Sequence, residues 1–479
     1  MIYKTANPDT GLNPSPKKKN VPATSSSSQP SALISSWVAV ILIILLMATK
    51  NCVFLSFDLC KRFPRICPAI TPSQIVVADI ISQMENVLFP IIGGVLIGFK
   101  GFRVTLLGIV TVVLTGHVLF TIGNSTSSSI LVVIGRLFFG LANQSMYVIA
   151  VYMAATLFPK KNIGKAIGLV FSMDFGTYLL WFNLLEAILT KSKSITAASI
   201  CGNVLAGVCL LFAIFAVLLI RAKERSMQNP RNGDDYYVDL GTREEETRRR
   251  HKLRWRDFRQ IVQVEFLMLM AIYAIVNGTS VEVLIEEYRF LLVTRCSMPI
   301  DVWMSYIYVF LIASMVLSFI IGVFTDWMGK RNLIITAGSV MSLVVFIFDY
   351  LVIKSSANSC DDTDKFWFPV ILIGMLSGIM YTSCMDTARI VLKSRVLAVG
   401  YGFLFGCFGL IETVEGAVFQ EIAGTTKGMD YQVSYLSTLN GIFIAFGVIA
   451  VICAVIINQR FHRSRLEAKA HGAVAVRVN

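Results

Sequence analysis

Lys50, Asn51, Glu85, Asn86, Arg136, Gln144, Asp174, Tyr178, Asn277, Glu412 and Glu415 stand inside runs of residues that are otherwise almost wholly apolar. An ionised side chain in hydrocarbon is expensive unless a partner or water relieves it, so such residues mark an ion pair, a cavity or a pathway. With a helical rise of about 1.5 Å per residue, Glu85, Asp174, Glu412 and Glu415 fall near the middle of their runs, and Lys50 and Arg136 toward the non-cytosolic side. For any one of these charges an internal ion pair explains it as well as a solute does. Taken together they describe a polar lining, and the acidic surplus suits a cationic or zwitterionic small-molecule substrate. Asp174 or Glu85 could also hold a coupled proton, if burial disfavoured its charged form. The chemistry is recognition rather than bond-breaking. Glu412 and Glu415 share a helix face without a histidine beside them, and His117, His251, His462 and His471 are scattered. No enzyme is expected, and no metal or cofactor.

The elements that must position these residues are membrane helices. The 479-residue chain is 55% hydrophobic, and runs of about 20 apolar residues are long enough to cross a bilayer. Twelve runs are predicted, at 33–56, 73–98, 104–122, 129–153, 163–189, 198–220, 260–285, 301–325, 332–353, 366–391, 397–422 and 435–458. All should be helical, because lipid offers no partner to a free peptide group. Helices 6 and 12 carry no ionisable residue, helix 3 only His117 and helix 9 only Asp349. Every third helix is therefore expected to face lipid and the others a central aqueous cavity. The net charge of +13 gathers on the loops that an even number of spans leaves on the side of both termini. That is the positive-inside pattern, and it puts both termini in the cytosol. It also accounts for the basicity without nucleic acid. The expected organisation is a disordered cytosolic N-terminus (1–32), a six-helix half (33–220), a basic cytosolic linker (221–259), a second six-helix half (260–458) and a cytosolic tail (459–479). The linker's charged second part suits either the anionic inner leaflet or plain solvent.

An internal repeat relates the halves. Gly94, Gly98, Gly101 and Arg103 recur without a gap as Gly322, Asp326, Gly329 and Arg331, each set in the short basic loop after the second span of its half. Such duplication is how many secondary transporters are built. Gly94, Arg103, Asp326, Gly329, Lys330 and Arg331 are the candidate conformational latch. Asp326 can cap a neighbouring helix, or pair with Lys330, Arg331 or a partner helix. Gly329 permits a tight turn. Gly98 replaces the aspartate in the first copy, so that latch should be weaker or differently made. A second echo, Gly164 and Gly168 against Ala398 and Gly402, offers small residues at helix seams.

Cys60, Cys67, Cys296 and Cys360 are the cysteines expected in non-cytosolic loops. Two disulfides are expected there, in any of three pairings. Asn124, followed by Ser125 and Thr126, is a glycosylation sequon on the same side. Tyr237 to Leu240, in the linker, fits a tyrosine-type sorting signal, although four-residue patterns are common.

The Gly322–Arg331 loop, its degenerate twin and Gly135 with Arg136 resemble the major facilitator superfamily. The resemblance implies an all-α membrane protein of twelve transmembrane helices in two pseudo-symmetric six-helix halves that rock to give alternating access. A narrower likeness lies in Gly135 to Ser145, Gly168 to Met173, Asn183 with Leu184, Glu85 to Val87 before Gly93 and Gly94, Asp326 to Lys330, and Tyr401 to Phe403. These resemble the lysosomal dipeptide uniporter family called major facilitator superfamily domain-containing protein 1. That likeness implies a dipeptide or amino-acid-like solute, uniport or proton-linked transport, a lysosomal or other endomembrane (with the plasma membrane as the alternative), and a single-span glycoprotein accessory subunit. This chain departs from that family at Gln144, where the family has an acid, and at Phe175, where it has an arginine. Another solute such as a sugar or organic ion, or a non-transporting sensor of the same fold, are the competing expectations.

Overall fold

The computed structural model describes residues 30–62, 72–158, 160–228, 255–279, 287–356, 364–424 and 429–477. The side chains of some of these, Glu85 among them, lie outside the description. Among the described residues twelve long helical segments follow one another. The first half holds α1 (Pro30–Arg62), α2 (Pro72–Lys100), α3 (Phe102–Ser125), α4 (Ser129–Leu157), α5 (Ile163–Ser192) and α6 (Ile195–Gln228). The second holds α7 (Val264–Tyr273, with π-helical turns at Ala274–Gly278 and Phe290–Arg295), α8 (Ile300–Met328), α9 (Arg331–Ser356), α10 (Trp367–Val391), α11 (Leu397–Gly424) and α12 (Met429–Arg477). Among the described residues ten are long and apolar enough to cross a membrane, and the apolar parts of α2 and α7 are shorter, at Asn86–Lys100 and Val264–Gly278. The protein is an all-helical multi-pass membrane protein.

Two elements outrun their expected ends. Hydropathy closes the seventh span at 285, yet the backbone is helical from Glu287 to Arg295, with Tyr288, Leu291 and Leu292 buried. The last helix continues past 458 to Arg477.

Burial separates the inner helices from the outer ones. In the most apolar windows of α4 and α10, 67% and 72% of residues are buried, against 33% in α6 and in α12. The exception to the every-third-helix expectation is α8, at 28%. Past Leu311 it buries one narrow stripe of small residues, Ser314, Ser318, Gly322 and Thr325, against α5 and α10, and turns Ile312, Val316, Phe319, Ile320 and Val323 outward.

The halves meet along two pseudo-equivalent seams, α2 with α11 and α5 with α8. Both depend on glycines at which no side chain would fit. A Cβ on Gly94 would stand 2.3 Å from the Ala398 carbonyl oxygen, and one on Gly322 would stand 2.4 Å from the Gly164 carbonyl oxygen. Helix backbones come this close only over small residues. Each repeated loop turns on a glycine of positive φ at the matching position, Gly101 at φ 88° and Gly329 at φ 62°. The end of the bundle that carries these loops is called the repeat end below.

Candidate functional site

At mid-bundle, α1, α4 and α5 converge on one carboxylate. Lys50 of α1 lies 2.7 Å from Asp174 of α5, and both are buried. Its ammonium also donates to the Tyr147 hydroxyl of α4 at 2.5 Å and lies over that ring. Tyr147 in turn donates to the other oxygen of Asp174. Asn51 completes the set, its amide nitrogen 2.7 Å from the Asp174 carbonyl oxygen, 3.1 Å from the carboxylate and 2.9 Å from the Thr177 hydroxyl. Neighbouring positions on one helix thus hold the cation and the amide that satisfy a single acid. Breaking such a buried pair by removing one partner strands the other charge, at about 3–5 kcal/mol.

The second half contributes two carboxylates. Glu412 of α11 lies within electrostatic reach of Lys50. One oxygen of Glu412 and both oxygens of the 8%-exposed Glu415 are buried without a hydrogen-bond partner. The buried Tyr273 hydroxyl of α7 is also unpartnered. Buried polar groups are satisfied almost everywhere in proteins, so orphaned ones call for an explanation.

An aromatic floor closes the repeat-end side of these charges. Tyr147 stacks on Phe405 at 5.2 Å, Phe171 meets Tyr381 at 5.1 Å, and Tyr273 meets Tyr381 at 5.6 Å. Phe171 precedes Asp174 by one turn, and Phe405 precedes Glu412 by two, on helices that both start at the repeat end. Phe175 packs edge-on against Tyr381 and Phe310. The expected open aqueous cavity is here a packed centre, with Lys50, Asp174, Tyr273 and Tyr381 all buried.

Beyond the floor lies the latch. Both oxygens of Asp326 accept backbone N–H groups from the first turn of α5, Gly164 and Lys165, each at 2.8 Å. Of the roles open to Asp326, capping the neighbouring helix across the seam is thus the main one, with Arg331 3.9 Å away. Arg331 bonds chiefly to the fully buried Asp386, which also holds Arg389 at 3.2 Å. Lys330 is exposed. Arg103, its counterpart Arg331 and both turn glycines thus lie at the repeat end, which is shut by the two seams.

Several other expected site residues lie elsewhere. Arg136 is buried under the faces of Phe57, Phe139 and Phe54, at 4.8, 5.1 and 5.7 Å. It precedes Tyr147 on α4 by about 16 Å of helix, so it does not join the Lys50–Asp174 centre. Gln144 donates to Asn86 at 3.2 Å and ties α4 to α2 within the first half. Asn277 donates to the Tyr273 carbonyl of its own helix, in the π turn. Tyr178 is half-buried one turn past Asp174.

Asn124 is buried in the last turn of α3, where its amide donates to the Phe120 carbonyl at 3.0 Å. Cys296 is disulfide-bonded. The side chains of Cys60, Cys67 and Cys360, and all of Tyr237 to Leu240, lie outside the described residues. Tyr273 and Tyr381 escaped the sequence reading, since a tyrosine in an apolar run is usually core. Among the described residues no histidine, cysteine and carboxylate group forms a metal cluster.

Residues 30–414 match the family model described as Major Facilitator Superfamily. No curated protein matches the chain. Among solved structures, a variant of the E. coli fucose:proton symporter aligns at a TM-score of 0.54 with 12% identity, over 90% of this chain and 98% of that one. At that identity the likeness shows the fold alone.

Proposed function

This chain belongs to the Major Facilitator Superfamily, and from that premise we propose that the small solute it carries by alternating access is a zwitterion of dipeptide or amino-acid-like size. The observation that supports this is the pairing of a buried Lys50–Asp174 centre in the first half with Glu412, within electrostatic reach of Lys50, and the unpartnered Glu415 one turn further along α11 in the second. A solute carboxylate would compete with Asp174 for Lys50. A solute ammonium would neutralise Glu415, both of whose oxygens lack a hydrogen-bond partner, or serve the one orphaned oxygen of Glu412. Both ends of such a solute touch residues of different halves, so binding would favour bringing the halves together on it. A non-transporting sensor would be expected to keep its charges internally paired, and Glu415 is not.

The test is thermal stabilisation of the purified chain by dipeptides, single amino acids and neutral sugars, because a ligand bound only by the native state raises stability by linkage. Zwitterions are expected to stabilise the wild type and to lose that effect in Glu415→Gln and in Lys50→Met. Stabilisation by neutral sugars with zwitterions silent refutes the reading. The resemblance also carries the proposals of a lysosomal or other endomembrane location and of a single-span glycoprotein partner. Organelle fractionation and affinity co-purification of the native chain test them separately.

A further inference from the structure

A second buried polar cluster lies wholly in the second half, away from the Lys50–Asp174 centre. Glu287 is 2% exposed on the later part of α7, and Asp349 of α9 and Asn440 of α12 are fully buried. The Asn440 amide nitrogen donates to one Glu287 oxygen at 2.6 Å and to the Leu436 carbonyl at 3.1 Å. Tyr288, next to Glu287, donates to one oxygen of Asp349 and packs edge-on against Phe366 at 5.1 Å. Each acid therefore has one oxygen served by a neutral donor and one, Oε2 of Glu287 and Oδ2 of Asp349, with no partner. The Oδ1 atom of the fully buried Asn440 is unpartnered as well.

The charges around the pair are all of one sign. Glu287 feels Asp349 and, across from α11, Glu415. Glu415 feels Glu412, and Glu412 feels Lys50. On α9 the nearest cation in sequence is Lys354, which is exposed and lies over the Tyr350 ring. Arg289 is exposed, as is Asp364, before α10, and Lys365 is half-exposed. Among the described residues no Lys, Arg or His pairs with either acid. Two buried carboxylates, joined through Tyr288 and its neighbour Glu287 and paired with no cation, cannot both stay ionised in an apolar surround, and one proton held by the pair removes the conflict. The unpartnered oxygens Oε2 of Glu287 and Oδ2 of Asp349 are where such a proton would sit.

We propose that Glu287 and Asp349 form a proton-binding site buried among α7, α9 and α12 of the second half. The site needs no assumption about the solute, and its test uses none. The full chain, purified in detergent, is melted across a pH series. Loss of the pair's proton leaves two repelling charges in the native state, so the wild-type melting temperature is expected to fall as pH rises past that loss. Glu287→Gln and Asp349→Asn each keep the shape and remove the conflict, so their melting temperatures should exceed the wild type's at alkaline pH and flatten there. Should those variants fail to fold, two others decide the matter. Tyr288→Phe removes a donor to the ionised form and should move the midpoint of the fall up by about one pH unit, while Glu415→Gln removes a repelling charge and should move it down by about as much. Variants that lower stability equally at every pH, a midpoint unmoved by Tyr288→Phe and Glu415→Gln, or stabilisation that follows sodium concentration rather than pH would each overturn the proposal.

Discussion

Asp326 gives the sharpest energetic expectation. Its side chain is only 3% exposed and receives two backbone N–H groups at 2.8 Å from the first turn of α5. Hydrogen bonds to a charged group contribute about 1.5–3 kcal/mol each. The two share one acceptor group at a helix end that water reaches once the seam parts, so about 2 kcal/mol together is the reasoned figure. Asp326→Ala should therefore raise the population opened at the repeat end by about 30-fold, since each 1.4 kcal/mol is tenfold. Asp326→Asn keeps a carbonyl acceptor but not the charge, and should give about fivefold by the same conversion. Ser318 is fully buried in the α5–α8 seam, against Gly168, so a Ser318→Cys reporter reacts with a maleimide only when the seam opens. Its labelling rate, corrected for the native thiols, should rise in the order Asp326, Asp326→Asn, Asp326→Ala. Lys330→Ala should not change it, because Lys330 is exposed. Unchanged labelling in a folded, monodisperse Asp326→Ala protein would refute the cap as a latch.

Three further outcomes follow from the same geometry. Lys50→Met and Asp174→Asn should each lower the melting temperature strongly, by the equivalent of about 3–5 kcal/mol, while the double variant recovers much of the loss; additive losses in that double-mutant cycle would show that the two residues act independently. Gly322→Ala places a methyl group 2.4 Å from the Gly164 carbonyl oxygen, so it should destabilise the closed seam by about 1–3 kcal/mol and raise Ser318→Cys labelling. Gly329→Ala meets no neighbour but must hold φ 62°; its penalty should be about 1–2 kcal/mol, seen in melting rather than in labelling of the seam.

The parts of this fold legible in the sequence are those written locally. The repeated loops announce themselves by glycine spacing, and the structure gives Gly101 and Gly329, at matching positions, a positive φ. Small residues at Gly94, Gly164 and Gly322 announce seams, and seams are where they lie. What stayed hidden depends on partners far away in the chain. Glu287 follows the apolar run of the seventh span and looks like the start of a loop; Asn440 and Asp349, brought in by α12 and α9, are what bury it. Arg136 looks like a solute ligand until Phe54 and Phe57 of α1 are seen across its face. Asn124 looks like a loop sequon because hydropathy fades before the helix does; α3 runs on to Ser125, the residue after the sequon asparagine, and the turn at Ser127, with φ 53°, follows it.

The inequality of the two repeats has a mechanical consequence. Both seams bring backbone against backbone, Gly94 on Ala398 and Gly322 on Gly164. The second adds a carboxylate, Asp326, where the first copy has Gly98. Close glycine contacts give way gradually as helices slide, whereas a carboxylate holding two amide N–H groups of another helix is either engaged or not. The α5–α8 seam is therefore the one with a threshold, and the α2–α11 seam follows it. Behind that threshold stands a buried network, Arg331 on Asp386 and Asp386 on Arg389, that fixes α9 to α10 within the second half. When Asp326 lets go of α5, what moves away from the first half is a braced unit, and that is the condition for two halves to rock as bodies rather than to unravel helix by helix.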